Sequence, residues 1–157
     1  MTDSFRFVAQ AYDRFAPLFG RSDEALQAMG ARRVVVDNKP GVPCRVSLAD
    51  AEVGETALLL NFTHHDVSSP FRASGPVYVR RDAVMAVPGA GEIPVMFNHR
   101  HLSVRAYDAA AMLADAAVAR GTELEAAIRR LFGNEDVSYL HIHNAGQGCY
   151  LCRVERA

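Results

Sequence analysis

Apolar and polar side chains alternate in two runs near the end of the chain, 139–143 and 150–154, on either side of Gly146-Gln147-Gly148. Alternation over this length predicts half-buried strands, and two such runs around a short glycine-containing loop predict a β-hairpin. A three-residue loop, with Gly148 in the left-handed conformation, separates apolar from polar side chains better than a two-residue loop. That register places on one face Leu140, Ile142, Tyr150, Cys152 and Val154. It places on the other face Tyr139, His141, His143, Cys149, Leu151 and Arg153.

The same kind of pattern predicts the remaining strands. They are expected at 5–8, 33–37, 44–48, 57–64, 77–80 and 101–107. Residues 112–119 extend the last of these into a hairpin, although their alanine-rich composition also permits a helix. Between the strands at 57–64 and 77–80 the pattern predicts a long polar loop, 64–76, and loops of this length and chemistry are often functional.

One segment has the periodicity of a helix rather than a strand. Thr122 and Glu125 form a capping box, an apolar stripe follows from Leu124 to Leu131, and Gly133 ends the segment. Shorter helices are predicted at 22–27 and 94–98. The predicted fold is therefore α+β: a mostly antiparallel β-sheet with one main helix at 122–132 and one or two short helices.

Composition narrows the class of protein. The chain has 157 residues, 50% of them hydrophobic, which predicts a single domain over 1–157 with its own core. A formal net charge of −1 gives no reason to expect nucleic acid or an acidic membrane as a partner. The first ten residues contain no long apolar run, so neither a signal peptide nor a membrane span is expected, and a cytoplasmic protein is the expectation.

The three cysteines, Cys44, Cys149 and Cys152, do not form a disulfide framework, because their number is odd and their spacing irregular. Cys149 and Cys152 have the spacing of a redox motif. On an extended strand, however, residues three apart point to opposite faces, whereas the redox motif normally opens a helix. Cys152 is therefore predicted to lie in the core and Cys149 to share a face with the histidines.

The chemistry of this predicted face permits three interpretations. His141 and His143 are candidate acid–base residues, with Cys149 as a nucleophile. His141 and His143, joined by His64 from the predicted loop, are candidate metal ligands. The third interpretation is a non-catalytic binding or structural module, such as a homodimer, in which these side chains only make hydrogen bonds or pack. The sequence specifies no cofactor.

Further polar residues favour a small anionic ligand over other small molecules. Arginine pairs well with carboxylate and phosphate groups, and several polar strand faces and the predicted loop carry arginines and hydrogen-bonding side chains. If these faces converge, the ligand-binding residues are expected to be Arg72, Ser74, Arg105, Tyr107, Asn144 and Arg153.

The chain also resembles an uncharacterised bacterial family, the domain-of-unknown-function family 1203. The resemblance covers nearly the whole length and depends on a set of short motifs. They are Pro43-Cys44-Arg45-Val46-Ser47-Leu48, Asp50-Ala51 with Gly54-Glu55, Leu58-Leu59-Leu60-Asn61, Pro70-Phe71-Arg72-Ala73-Ser74-Gly75-Pro76 with Val79-Arg80, Leu102-Ser103-Val104-Arg105-Ala106-Tyr107-Asp108, Tyr139-Leu140-His141-Ile142-His143-Asn144 and Gly148-Cys149-Tyr150. The resemblance supports a single domain and implies no mechanism.

Overall fold

A computed structural model describes residues 4–157 of the chain. Its strands are β1 (Phe5–Val8), β2 (Arg32–Val35), β3 (Thr56–His65), β4 (Ala73–Arg80), β5 (His101–Asp108), β6 (Leu113–Arg120), β7 (Val137–Asn144) and β8 (Tyr150–Arg156). Its helices are α1 (Asp23–Ala28) and α2 (Leu124–Phe132), with short 3-10 helices at Tyr12–Arg14, Ala16–Gly20, Val95–Phe97 and Gly121–Glu123. No described helix is long and apolar enough to cross a membrane.

The strands form two antiparallel sheets. Five strands pair in the order β1-β8-β7-β5-β6, and three pair in the order β2-β3-β4. Each strand pair in both sheets is antiparallel. The predicted fold class, α+β with a mostly antiparallel sheet and one main helix, is confirmed. The alanine-rich segment after β5 is a strand, β6, which completes a hairpin.

The largest core lies between α2 and one face of the five-stranded sheet. Leu124, Ile128 and Leu131 are spaced i, i+4, i+7 and so lie on one side of α2. They pack against the alternate apolar residues of the central strands, which point to the same face: Leu102, Val104, Leu140, Ile142 and Val154. The opposite face of this sheet is therefore free to carry other chemistry.

Several predicted elements differ from the structure, three of them in ways that affect the description of the fold. The helix predicted to begin at Thr122 begins at Leu124, because a 3-10 turn precedes it, and Glu125 pairs with Arg129 instead of closing a capping box. The predicted strand 44–48 is a turn with two isolated bridges, and Leu48 has a positive φ of 51°. The predicted loop 64–76 is shorter, because β3 continues to His65 and β4 begins at Ala73.

The last hairpin has the predicted register over most of its length. Ile142 pairs with Cys152 and His141 with Arg153, and Gly148 is left-handed with φ of 81°. The register then shifts by one residue, so that His143 pairs with Tyr150. The side-chain assignment of two residues was therefore wrong: Tyr150 joins the histidine face, and Leu151 lies in the main core. Cys152 lies in that core, as predicted.

Candidate functional site

The face of the five-stranded sheet opposite α2 carries two of the candidate histidines side by side. Directly paired residues on neighbouring antiparallel strands share a face. His141 of β7 is flanked by Arg105 of β5 and Arg153 of β8, and His143 pairs with Ser103. Strand pairing alone thus places a row of polar side chains across the centre of the sheet.

The three-stranded sheet supplies further imidazoles from the end of β3. The pairing of β3 with β4 is irregular between Phe62 and His65. An irregularity of this kind reorients side chains, and neighbouring residues no longer alternate strictly. His64 and His65 consequently both contact the ring of His141, with centroids 6.3 and 4.8 Å away. The site lies where the two sheets meet.

His64, His141 and His143 form a group that we call the three-histidine cluster. One ring nitrogen from each lies within 4.8 Å of the other two. Each ring also has a buried nitrogen with no hydrogen-bond partner among the described residues: Nδ1 of His64, Nδ1 of His141 and Nε2 of His143. A buried polar atom without a partner costs about 1–3 kcal/mol. Three such atoms in one cluster leave room for a shared partner that accepts their lone pairs.

Burial keeps these imidazoles neutral. The pKa of His141 is lowered to about 2, mainly by burial and to a smaller extent by the neighbouring His65 and His143. Burial likewise lowers the pKa of His64 to about 4 and that of His143 to about 4. A neutral imidazole has a lone pair on one nitrogen, and this is the form that binds metal ions.

The protonation of the His143 ring follows from its one hydrogen bond. Its Nδ1 lies 2.9 Å from the carbonyl oxygen of Gly148, at the turn of the hairpin. A carbonyl oxygen only accepts, so in the neutral ring Nδ1 carries the hydrogen and Nε2 carries the lone pair. Metal-binding histidines characteristically donate their other N–H to a carbonyl or carboxylate in this manner.

His65 differs from the cluster because both of its nitrogens have partners. Nδ1 donates to the carbonyl oxygen of Phe71 at 2.8 Å, so Nε2 accepts from the hydroxyl of Tyr139 at 2.6 Å. The ring also packs against Tyr107, with centroids 4.3 Å apart. His65 and these two tyrosines thus form a hydrogen-bonded aromatic layer beside His141, where burial raises the pKa of both Tyr107 and Tyr139.

Tyr150 fixes the position of His64 from the other side. The two rings are stacked, with centroids 4.9 Å apart and planes 7° from parallel. Tyr150 also contacts His141 and His143 edge-on. The register shift in β8 is what turns this ring toward the histidines, and no pattern in the sequence marked it as a site residue.

A buried arginine and a cysteine lie next to the cluster. Arg45 is only 1% exposed, its guanidinium donates to the carbonyl oxygens of Tyr150 and Pro43, and it lies close to Cys149. Burial lowers the pKa of Arg45. Cys149 Sγ also accepts from Asn144 Nδ2 at 3.0 Å. The sequence pattern placed Arg45 in a predicted strand at 44–48 and did not identify it as a site residue.

The two arginines that flank His141 have different surroundings. Arg153 pairs with Glu155 at 2.8 Å and covers the ring of Tyr139, 4.0 Å from its centroid. Arg105 donates to the Ser103 hydroxyl at 3.3 Å and lies near Tyr107. Its positive charge lowers the pKa of both His64 and His143, which places it near both rings.

Not all the residues predicted for the site lie in it. Arg72 and Ser74 are exposed, and Arg72 forms an ion pair with Asp66. His64, predicted in a loop, is held by β3. Cys149 is adjacent to the three-histidine cluster but is not one of its members. The structure thus brings together the histidines and Arg105 from three strands, β3, β5 and β7, that are distant in sequence.

Comparison with known proteins gives a family but no function. No curated protein and no solved structure matches the chain. A family model described as "Protein of unknown function (DUF1203)" matches residues 41–156, which include every residue of the site described above. The chain therefore belongs to this domain-of-unknown-function family, DUF1203.

Proposed function

We propose that this protein binds a divalent transition-metal ion, zinc in the first instance, through His64, His141 and His143. The observation that carries the proposal is that each of these rings places one nitrogen within 4.8 Å of a nitrogen of the other two. Each ring also has a buried nitrogen without a hydrogen-bond partner among the described residues. A metal ion would accept a lone pair from each ring and so offset the cost of burying unpaired imidazoles.

The dimensions of the cluster suit such an ion after a small adjustment. In a tetrahedral zinc site with Zn–N bonds of about 2.0–2.1 Å, ligand nitrogens are about 3.3–3.5 Å apart. The three nitrogens here lie within 4.8 Å of one another. Closing the cluster around an ion therefore requires each nitrogen to move by about 1 Å or less, on the basis of these bond lengths. Ring rotations of this size are accessible to side chains.

The three imidazole ligands also indicate which metal ions would bind and whether the metal site would be structural or catalytic. Three imidazoles without a thiolate or carboxylate suit zinc, iron, nickel and copper better than magnesium or calcium, which prefer oxygen ligands. Structural zinc sites use four protein ligands, whereas catalytic sites use three and leave one position for water or substrate. A three-histidine site therefore favours a centre that acts on a bound molecule.

The experiment is a calorimetric titration of Zn²⁺ into protein purified without a tag and freed of metal by dialysis. We expect one equivalent to bind, and the His64→Ala, His141→Ala and His143→Ala variants each to bind at least about 100-fold more weakly. His101→Ala, which removes an exposed histidine at the start of β5, is the matched control and should bind like the wild type. Equal affinity in His141→Ala and wild type would contradict the proposal.

A second candidate function is acid–base and nucleophilic chemistry by His141, His143 and Cys149. One observation favours it: Asn144 donates a hydrogen bond to the Cys149 sulfur, and the guanidinium of Arg45 lies close to the same side chain. The histidines support it less well. General acids and bases work best with a pKa near the working pH, whereas burial lowers that of His141 to about 2 and that of His143 to about 4.

A further inference from the structure

The site carries positive charge without a matching negative charge. Among the described residues, no carboxylate lies within ion-pair distance of either Arg45 or Arg105, although other arginines of the chain do form ion pairs. Arg45 donates to two carbonyl oxygens and lies close to Cys149. A divalent ion on the three-histidine cluster would add two further positive charges. The site therefore favours an anionic ligand.

A cleft outside the three-histidine cluster does not have this property. It has a volume of about 810 Å³ and lies away from the three-histidine cluster. The basic side chains that line it already have acidic partners: Lys39 with Glu52, Arg80 with Glu55, and His99 with Asp50. Its charges are balanced internally, so an anion has less to gain there than beside the histidines.

Arg105 and Arg153 form a natural comparison within the site. Both are paired with His141, on opposite neighbouring strands. Glu155 neutralises Arg153, whose side chain also covers the Tyr139 ring. Arg105 donates to the neutral hydroxyl of Ser103 and lies near Tyr107, and it forms no ion pair among the described residues. Of the two, only Arg105 has a charge that a ligand can still neutralise.

We propose that Arg105 recognises a small carboxylate that binds the metal centre, one carboxylate oxygen on the metal and the other on the guanidinium. The inference rests on the metal site proposed above. A carboxylate is favoured over phosphate because it offers two oxygens and one negative charge, and the site offers one metal position and one uncommitted guanidinium. A phosphate group has three terminal oxygens and up to two charges, and would leave some of them without donors.

The test uses protein loaded with Co²⁺, whose visible absorption changes when an added anion enters its coordination sphere. Acetate is titrated into wild type, Arg105→Gln and Arg105→Lys, with Arg153→Gln as the matched control. We expect acetate to bind at least about tenfold more weakly to Arg105→Gln, the size expected for loss of a charged hydrogen bond. Arg153→Gln should stay within about twofold of wild type, and Arg105→Lys should recover part of the affinity.

Each outcome separates the two proposals. If Co²⁺ does not bind to the wild type, the metal site itself is wrong and the carboxylate proposal fails with it. If Co²⁺ binds but acetate affinity is the same in wild type and Arg105→Gln, only the role of Arg105 is overturned. If inorganic phosphate binds more tightly than acetate, with the same dependence on Arg105, the carboxylate assignment is overturned. Equal Co²⁺ affinity and melting temperature in the Arg105 variants ensure that the comparison reports ligand recognition.

Discussion

The two ring nitrogens of His143 differ in their hydrogen bonding. Nδ1 is bonded to the Gly148 carbonyl, whereas the buried Nε2 has no partner among the described residues. The turn of the β7–β8 hairpin therefore fixes both the tautomer and the orientation of this ring before any ligand arrives. Pre-orientation of this kind reduces the entropy lost when a metal ion binds.

At the residue scale, His143 should also make stability depend on pH. Burial depresses its pKa to about 4 in the folded protein, against about 6.5 when unfolded. Below pH about 6.5 the unfolded chain therefore binds more protons at this residue, so the free energy of unfolding falls as pH falls toward 4. His64, Arg105 and Arg45 face the ring and oppose its protonation in the folded state.

Urea unfolding of metal-free protein at pH 6.5 and 5.0 measures this effect. Between pH 6.5 and 5.0 we expect the free energy of unfolding to fall by up to about 2 kcal/mol more in wild type than in His143→Gln. One proton bound only by the unfolded chain changes this free energy by about 1.4 kcal/mol per pH unit. His101→Gln, at an exposed position, should keep the dependence of the wild type. The same loss in His143→Gln and wild type would show that His143 does not titrate as described.

The cysteines provide a second prediction at this scale. Cys149 is partly exposed, whereas Cys44 and Cys152 are buried, and burial raises the pKa of Cys152 to about 12. The thiolate is the reactive form, so iodoacetamide should label Cys149 of the folded protein and leave the other two unmodified. Peptide mass mapping checks the site, and labelling in urea should reach all three. Fast native labelling of Cys152 would refute the assignment.

At the scale of elements, the strands and the main helix follow from hydrophobic periodicity, which is a local property. The alternation at 139–143 correctly predicted that His141 and His143 share a face, and the apolar stripe correctly predicted α2. Arg105 was placed on a polar strand face for the same reason, and its pairing with His141 agrees. These predictions needed only the two-residue and 3.6-residue periods.

The irregular positions could not be predicted in this way. The shift in β8 turns Tyr150 toward the histidines, and the irregularity in β3 brings both His64 and His65 to them. An irregularity breaks the two-residue period, and whether it forms depends on contacts with the opposing sheet, which a local pattern does not contain. The burial of Arg45 could not be predicted for the same reason: it depends on Tyr150 and Cys149, which lie beside Arg45 but are distant from it in sequence.

At the scale of the whole molecule, the three-histidine cluster joins the two sheets. His64 belongs to the three-stranded sheet, whereas His141 and His143 belong to the five-stranded sheet. His64 and His141 are 77 positions apart in the chain, so a metal ion bound to all three residues would act as a cross-link between distant parts of the chain. Such a ligand stabilises the folded state alone and should reduce the opening of one sheet from the other.

Hydrogen exchange with and without Zn²⁺ tests this cross-link. At a free Zn²⁺ concentration 100 times the dissociation constant, we expect about 2.7 kcal/mol of added stability and a rise in melting temperature of about 5–10 °C. Amides of β3 and β4 should gain protection along with those of β7 and β8.

In His64→Ala, any remaining Zn²⁺ would be held by the five-stranded sheet alone, so the protection of β3 and β4 amides should not increase. The control variant His101→Ala should respond like the wild type. Protection gained equally by β3 in wild type and His64→Ala would mean that the ion does not connect the sheets.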